Sequence, residues 1–348
     1  CSGYDARVSH IHALVPERRE GLEGLLNENP PVGYLTGHGE RNLADSRSGA
    51  APFRALNEDL YEFIELNLEE DEIPLGVSTL VINSPKAPYT QSELYTLDQF
   101  LLRGGNLLIF LDPFQIVEPR QDTQPGMPPV YLPVESGLGE LLGNYGIETG
   151  RNYVLDRNSY EAQQQFGPVN LYHIPILEKE SLDQRHPVTR NLGRVVFLAT
   201  SAGGPAAEPR VWVSRRADSI ETVSLRTLAY SSEESWIMEG EVDLNPMTIT
   251  PPASDTMERL PLLVLAEGEF QSFFSGPIED EPLDAQVQGT RHLERSLSPG
   301  KIIVAGTSEL TGPQLLDPEG RSPNAILVHN MLDYVNGNEE LPLMRSKG

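Results

Sequence analysis

Cysteine is all but missing from this sequence, the single one being Cys1. No disulfide can close within the chain, no cysteine-based metal site can form, and thiol catalysis from a strand-to-helix turn is ruled out. Positive charge is also scarce. Lys and Arg number 26 against 51 Asp and Glu, giving a net charge of -25 at pH 7. A field of that sign repels phosphate backbones, and no basic stripe with interleaved aromatics offsets it, so the sequence argues against nucleic acid as a partner. Solubility or a salt-adapted setting is the plain reading of the acidity. Long apolar runs are missing too, and with them any membrane span or signal peptide in these residues. There is no Gly-x-x-x-x-Gly-Lys-Ser/Thr loop, which assigns nucleotide hydrolysis to some other subunit, and no Gly-x-Ser-x-Gly elbow for a serine nucleophile.

What is present is a chain of 348 residues with 39% hydrophobic content, enough for a large core. The clearest organisation lies between residues 79 and 114. Leu80-Val81-Ile82 and Leu107-Leu108-Ile109-Phe110-Leu111 are unbroken apolar runs, closed by Ser84-Pro85 and Asp112-Pro113. Between them Thr90 and Glu93 have the spacing of a capping box, Leu94, Leu97 and Leu101 share one helical face, and Gly104-Gly105 stops the pattern. This predicts a β-α-β crossover with parallel strands, whose carboxyl-end loops are where a ligand would sit.

The remaining sequence is read around that unit. Residues 1–31 form an N-terminal extension whose Leu-rich end reads as an entry helix or as the remnant of an upstream domain. Val32 to Thr36 is a strand, Pro52 to Tyr61 a helix, Phe63 to Leu66 a short strand, and Gln115 to Pro133 a loose loop. Leu138 to Tyr145 is a short helix. From about 160 to 290 short β-like runs are separated by polar, Pro-rich connections, a β-rich elaboration on the core. Lys301 to Ala305 is a further buried strand, and Asn324 to Tyr334 is a helix that closes the core. The expected class is α/β, a mainly parallel sheet flanked by helices over residues 32–348.

The strand-end loops supply the candidate binding residues: Thr36, His38, Glu40, Ser84, Lys86, Asp112, Ser308 and Glu309. His38 and Glu40, presented between Gly37 and Gly39, have the chemistry of an acid-base pair or of two metal ligands, with Asp112 as a third if its strand is adjacent. The plainer alternative gives His38 a backbone partner and makes Glu40 a cap of the next helix or the organiser of its own turn, with His38 facing an open cleft. Asp112 reads most simply as a turn former, and Lys86 as a solvated lysine. No catalytic residue, metal ligand or cofactor is assigned on these grounds.

The string Val32-Gly33-Tyr34-Leu35-Thr36-Gly37-His38-Gly39-Glu40 resembles the ABC-transporter auxiliary family, whose named example is the GldG-type gliding-motility component. So do Ser84-Pro85-Lys86, Leu97-Asp98-Gln99-Phe100, Leu111-Asp112-Pro113, Ile302 to Glu309 and the ending Asn330 to Gly337. The resemblance spans residues 32–345. It implies a class I glutamine-amidotransferase-like, flavodoxin-like domain, also seen in an intraflagellar-transport scaffold. It implies a non-enzymatic, extracytoplasmic auxiliary role beside an ABC permease and its ATPase. A saccharide- or peptide-binding module, or a degenerate amidotransferase-like hydrolase using His38 and Glu40, are the alternatives. Cys1-Ser2-Gly3 resembles a processed bacterial lipoprotein start, so lipid on Cys1 or a segment outside these residues is the expected anchor; an arbitrary first residue is the other reading.

Overall fold

A computed structural model describes residues 29–345, except 120–126, 166, 206–222, 279–290 and 318. The helix expected in the extension before residue 31 lies outside the described residues. The main sheet draws on β1 (Pro31–Leu35), β2 (Glu62–Leu66), β3 (Thr79–Asn83) and β4 (Asn106–Phe110). Next in the chain come β5 (Phe114–Val117), β6 (Val130–Pro133), β7 (Ile147–Thr149) and β8 (Asn152–Asp156). They are followed by β9 (Ser159–Gln164), β10 (Gly167–Leu177), β11 (Val195–Val196), β12 (Gly203–Pro205) and β13 (Val223–Tyr230). The last strands are β14 (Ser235–Glu239), β15 (Pro261–Gly268) and β16 (Gly300–Ala305). Helices are α1 (Ala51–Asn57), α2 (Gln91–Leu102), α3 (Leu138–Asn144), α4 (Pro323–Val335) and α5 (Glu340–Arg345).

Seven strands form one sheet in the order β13-β15-β16-β4-β3-β1-β2. Pairings among β2, β1, β3, β4 and β16 are parallel, while β15 and β13 run antiparallel. Successive side chains on a strand point to opposite faces, so each central strand feeds two cores. Leu108 packs with Phe53 of α1 and Leu327, Val328 and Met331 of α4. Its neighbour Ile109 packs with Leu94 and Leu97 of α2 and Leu141 of α3. Both are fully buried.

Local chemistry fixes the helix that matters most for the site. The Thr90 hydroxyl accepts from Glu93 N and the Glu93 carboxylate accepts from Thr90 N, closing the expected capping box at the start of α2. After Arg103 the chain turns through Gly104 at φ +97°, a conformation that side-chain-bearing residues rarely adopt.

The flavodoxin-like, mainly parallel α/β class expected from the sequence is not the one found. Strand makes up 32% of the described residues against 19% helix, a β-rich balance. The large sheet is mixed, and beside it lie the antiparallel sets β11-β10-β9, β12-β7, β14-β8 and β5-β6. The reason is that an apolar run declares burial but not direction. Pro261–Gly268 carries an apolar run, Leu262 to Ala266, like those of the central parallel strands, yet it pairs antiparallel with β16, and Val223–Tyr230 pairs antiparallel with it in turn. The stretch read as a loose loop, 115–133, is in its described part a β5-β6 hairpin.

Candidate functional site

The eight residues picked from the sequence separate into two networks at the carboxyl ends of the parallel strands. The first is built on the turn after β1. Gly37 and Gly39 sit at φ +108° and +78°, and a Cβ on Gly39 would come within 3.2 Å of the Lys86 side chain. Glycine is needed here for both conformation and approach. Thr36 contributes its amide, which donates to Leu66 O at 2.9 Å. The His38 carbonyl accepts from Lys86 N and Ala87 N at 2.7 and 3.0 Å, tying this turn to the loop after β3.

The His38 ring does not line an open cleft. It is 6% exposed and lies against Tyr89, with ring centroids 4.2 Å apart. Two carboxylates flank it: Glu93 Oε2 is 3.2 Å from Nε2, and Glu40 Oε1 is 3.8 Å from Nδ1. Glu40 orders its own turn by accepting from His38 N at 2.7 Å, and its Oε1 accepts from the Tyr89 hydroxyl at 2.7 Å. Burial, reinforced by the Glu40 charge, pushes the Tyr89 phenol well above its ordinary pKa, so it stays a donor. Glu40 does not cap α1, whose N-cap Ala50 has no side-chain hydrogen bond.

Asp112 is the hub of the second network. Its carboxylate accepts from the Ser84 hydroxyl, from Lys86 Nζ at 2.8 Å, and from Ser308 N and Oγ at 2.8 and 2.7 Å. Arg41 extends the network by donating to Ser308 Oγ at 2.7 Å and by pairing with Glu309. Burial works to raise the Asp112 pKa, but the Lys86 and Arg41 charges and the donated hydrogen bonds outweigh it and hold the group at about 2. Asp112 is thus more than a turn former, and Lys86 is not a free solvated lysine. Ser84 adopts φ +61°, a strained value for a non-glycine residue, held where three strand ends meet.

Asp112 does not join His38 and Glu40, so the three-residue convergence considered from the sequence is not made. Sequence reading missed Arg41, Tyr89 and Glu69, and saw Glu93 only as a cap. Arg41 follows Glu40 directly and Glu69 opens an acidic loop; neither position carries a local signal of its partner, because the partners come from chain segments far away.

Beside Lys86 and Asp112 lies a cleft of ≈ 670 Å³, with Tyr89, Glu135, Arg151 and Ser201 among its lining residues. Pro113 and Pro133, at the base of the β5-β6 hairpin, form part of its wall. A smaller cavity of ≈ 270 Å³ between α2 and residues 73–78 contains none of the candidate residues.

The fold is that of a β-rich domain with a mixed sheet, similar to the mmIFT52 N-terminal domain. The two share a TM-score of 0.51 at 13% identity, over 88% of this chain and 97% of that one. This likeness concerns fold alone, and it stands in place of the flavodoxin-like assignment. No curated protein matches the chain. A family model described as an ABC-type uncharacterized transport system matches residues 29–325. The chain belongs to that family and is an auxiliary component of an ABC-type transport system, which implies membrane transporter partners. Among the described residues no helix is long and apolar enough to cross a membrane.

Proposed function

We propose that this domain is the non-enzymatic binding and scaffolding part of a gliding-motility-type ABC system, acting on the extracytoplasmic side and docking the permease and, through it, the ATPase. The observation that carries the reading is the β5-β6 hairpin. Val117, Val130 and Leu132 are 42, 54 and 47% exposed. The register pairs Val117 with Val130 and Gln115 with Leu132, which puts these three apolar side chains on one face of the ribbon. A cluster of large apolar groups left in water marks a surface that another protein covers, and family membership supplies the class of partner. The Thr36-Gly37-His38-Gly39-Glu40 string supports the gliding-motility assignment. Lipid on Cys1, or a segment outside these residues, would hold the domain at the membrane.

The test is a triple variant, Val117→Ser, Val130→Ser and Leu132→Ser, used as bait on solubilised membranes of the native host. Capture of permease and ATPase falls at least about tenfold while thermal melts stay unchanged, in line with loss of interface anchors. Undiminished capture overturns the docking face. For location, Leu75 is 91% exposed, and Leu75→Cys reacts with a membrane-impermeant maleimide in intact spheroplasts; labelling only after lysis refutes the extracytoplasmic placement.

The cleft beside Lys86 supports a second reading, a site for a small saccharide or peptide. Its volume and mixed charge, Arg151 and Lys86 against Glu135 and Glu140, suit a polar ligand of that size. Calorimetric titration with oligosaccharide and peptide panels detects binding that Arg151→Ala weakens; silence across both panels removes this reading.

A further inference from the structure

We propose that His38, Glu69 and Glu93 form a binding site for a divalent transition cation of the Zn²⁺ class. One ligand atom from each of the three lies within 4.8 Å of the others, the only such group among the described residues. An imidazole nitrogen with two carboxylate oxygens is a donor set that zinc accepts. This assignment is independent of the transport reading.

Exposed acidic clusters commonly stand without an ion, and the buried members separate this group from those. Glu93 is 1% exposed and His38 6%. Oε2 of Glu93 is occupied, by Thr90 N at 2.8 Å and Thr90 Oγ1 at 2.9 Å, but Oε1 has no hydrogen-bond partner among the described residues. The same holds for His38 Nδ1. A carboxylate oxygen taken out of water and left bare is costly, and each such atom asks for a ligand.

Charge points the same way. The side chains of Glu40 and Glu93 are 2% and 1% exposed, and among the described residues His38 is the basic side chain paired with each. Two buried negative charges around one imidazole are short of positive charge, which a divalent cation supplies. Glu40 Oε1 stands 3.8 Å from Nδ1, too far for a hydrogen bond, while Nε2, 3.2 Å from Glu93 Oε2, is the ring nitrogen that faces a ligand carboxylate.

The third ligand gives the ion a way in. Glu69 is exposed, on the loop after β2, and that loop is preorganised: Glu69 N donates to Asn67 Oδ1 at 3.2 Å and Asn67 N to Asp71 Oδ2 at 2.8 Å. An ion here would clip together the turn after β1, the loop after β2 and the amino end of α2.

The test uses the purified chain stripped with chelator, then titrated with Zn²⁺ alone. Calorimetry finds one site per chain, melts shift upward with saturating Zn²⁺, and Co²⁺ gives visible d–d absorption. Glu69→Gln, on an exposed side chain that leaves the core packed, weakens Zn²⁺ binding about tenfold or more, while the neighbouring exposed Glu70→Gln leaves it unchanged. Absence of any melt shift or heat with Zn²⁺ and Mn²⁺ overturns the site. Equal affinity in Glu69→Gln and the native chain overturns it as well, by showing that the ion sits elsewhere.

Discussion

Asp112 concentrates more donors than any other candidate residue: two serine hydroxyls, one backbone amide and one lysine. Its depressed pKa has a definite consequence for stability. A carboxylate at about 2 in the folded chain against 3.8 in the unfolded one contributes stability that is fully present above the higher value and is lost as pH falls through the lower. The contribution is on the order of 2 kcal/mol. Urea melts of Asp112→Asn are therefore expected to show lower stability at pH 7 and a flatter decline between about pH 5 and pH 3 than the native chain. Parallel declines would show that Asp112 does not titrate as its surroundings require. At the first network, Glu40 acts within its own turn, accepting from His38 N and from the Tyr89 hydroxyl.

At the scale of elements, β4 is the clearest case of two cores served by one strand. Leu108 faces α1 and α4, and Ile109 faces α2 and α3. Truncating either to Ala removes packing from a different layer, and each is expected to cost ~2–5 kcal/mol in denaturant melts. Losses below about 0.5 kcal/mol for both would contradict their placement at the centre of the sheet. Helix α2 carries a double duty: Glu93 closes its capping box with Oε2, the oxygen that also lies 3.2 Å from His38 Nε2, and its Oε1 has no hydrogen-bond partner among the described residues.

For the whole molecule, two features dominate. Strand β16, drawn from residues 300–305, lies between β4 and β15, so the sheet cannot close until nearly the whole chain is available. The other feature is the net charge of -25, whose self-repulsion opposes the compact state. Raising NaCl from about 10 mM to about 200 mM shortens the screening length and is expected to raise the melting temperature. A melting temperature that falls or stays constant would mean that local ion pairs outweigh this repulsion.

The sequence by itself determined what short-range chemistry controls. The Thr90–Glu93 capping box, the buried runs at Leu80 and Leu107, the Gly37–Gly39 turn and the helix after Pro323 are all written in neighbouring residues, and spacing alone exposes them. It also marked Ser84, Lys86, Asp112, Ser308 and Glu309, because strand ends followed by polar residues are visible as local transitions. Only the tertiary structure decided strand direction, since Pro261–Gly268 would look the same in a parallel or an antiparallel pair, and with it the β-rich class. It alone divided the candidates into a His38 group and an Asp112 group, brought Arg41 to Ser308 and Glu309, and set Glu69 beside Glu93. These contacts join residues tens to hundreds of positions apart. Nothing in the local pattern encodes such a meeting, because it follows from which strands lie side by side in the sheet.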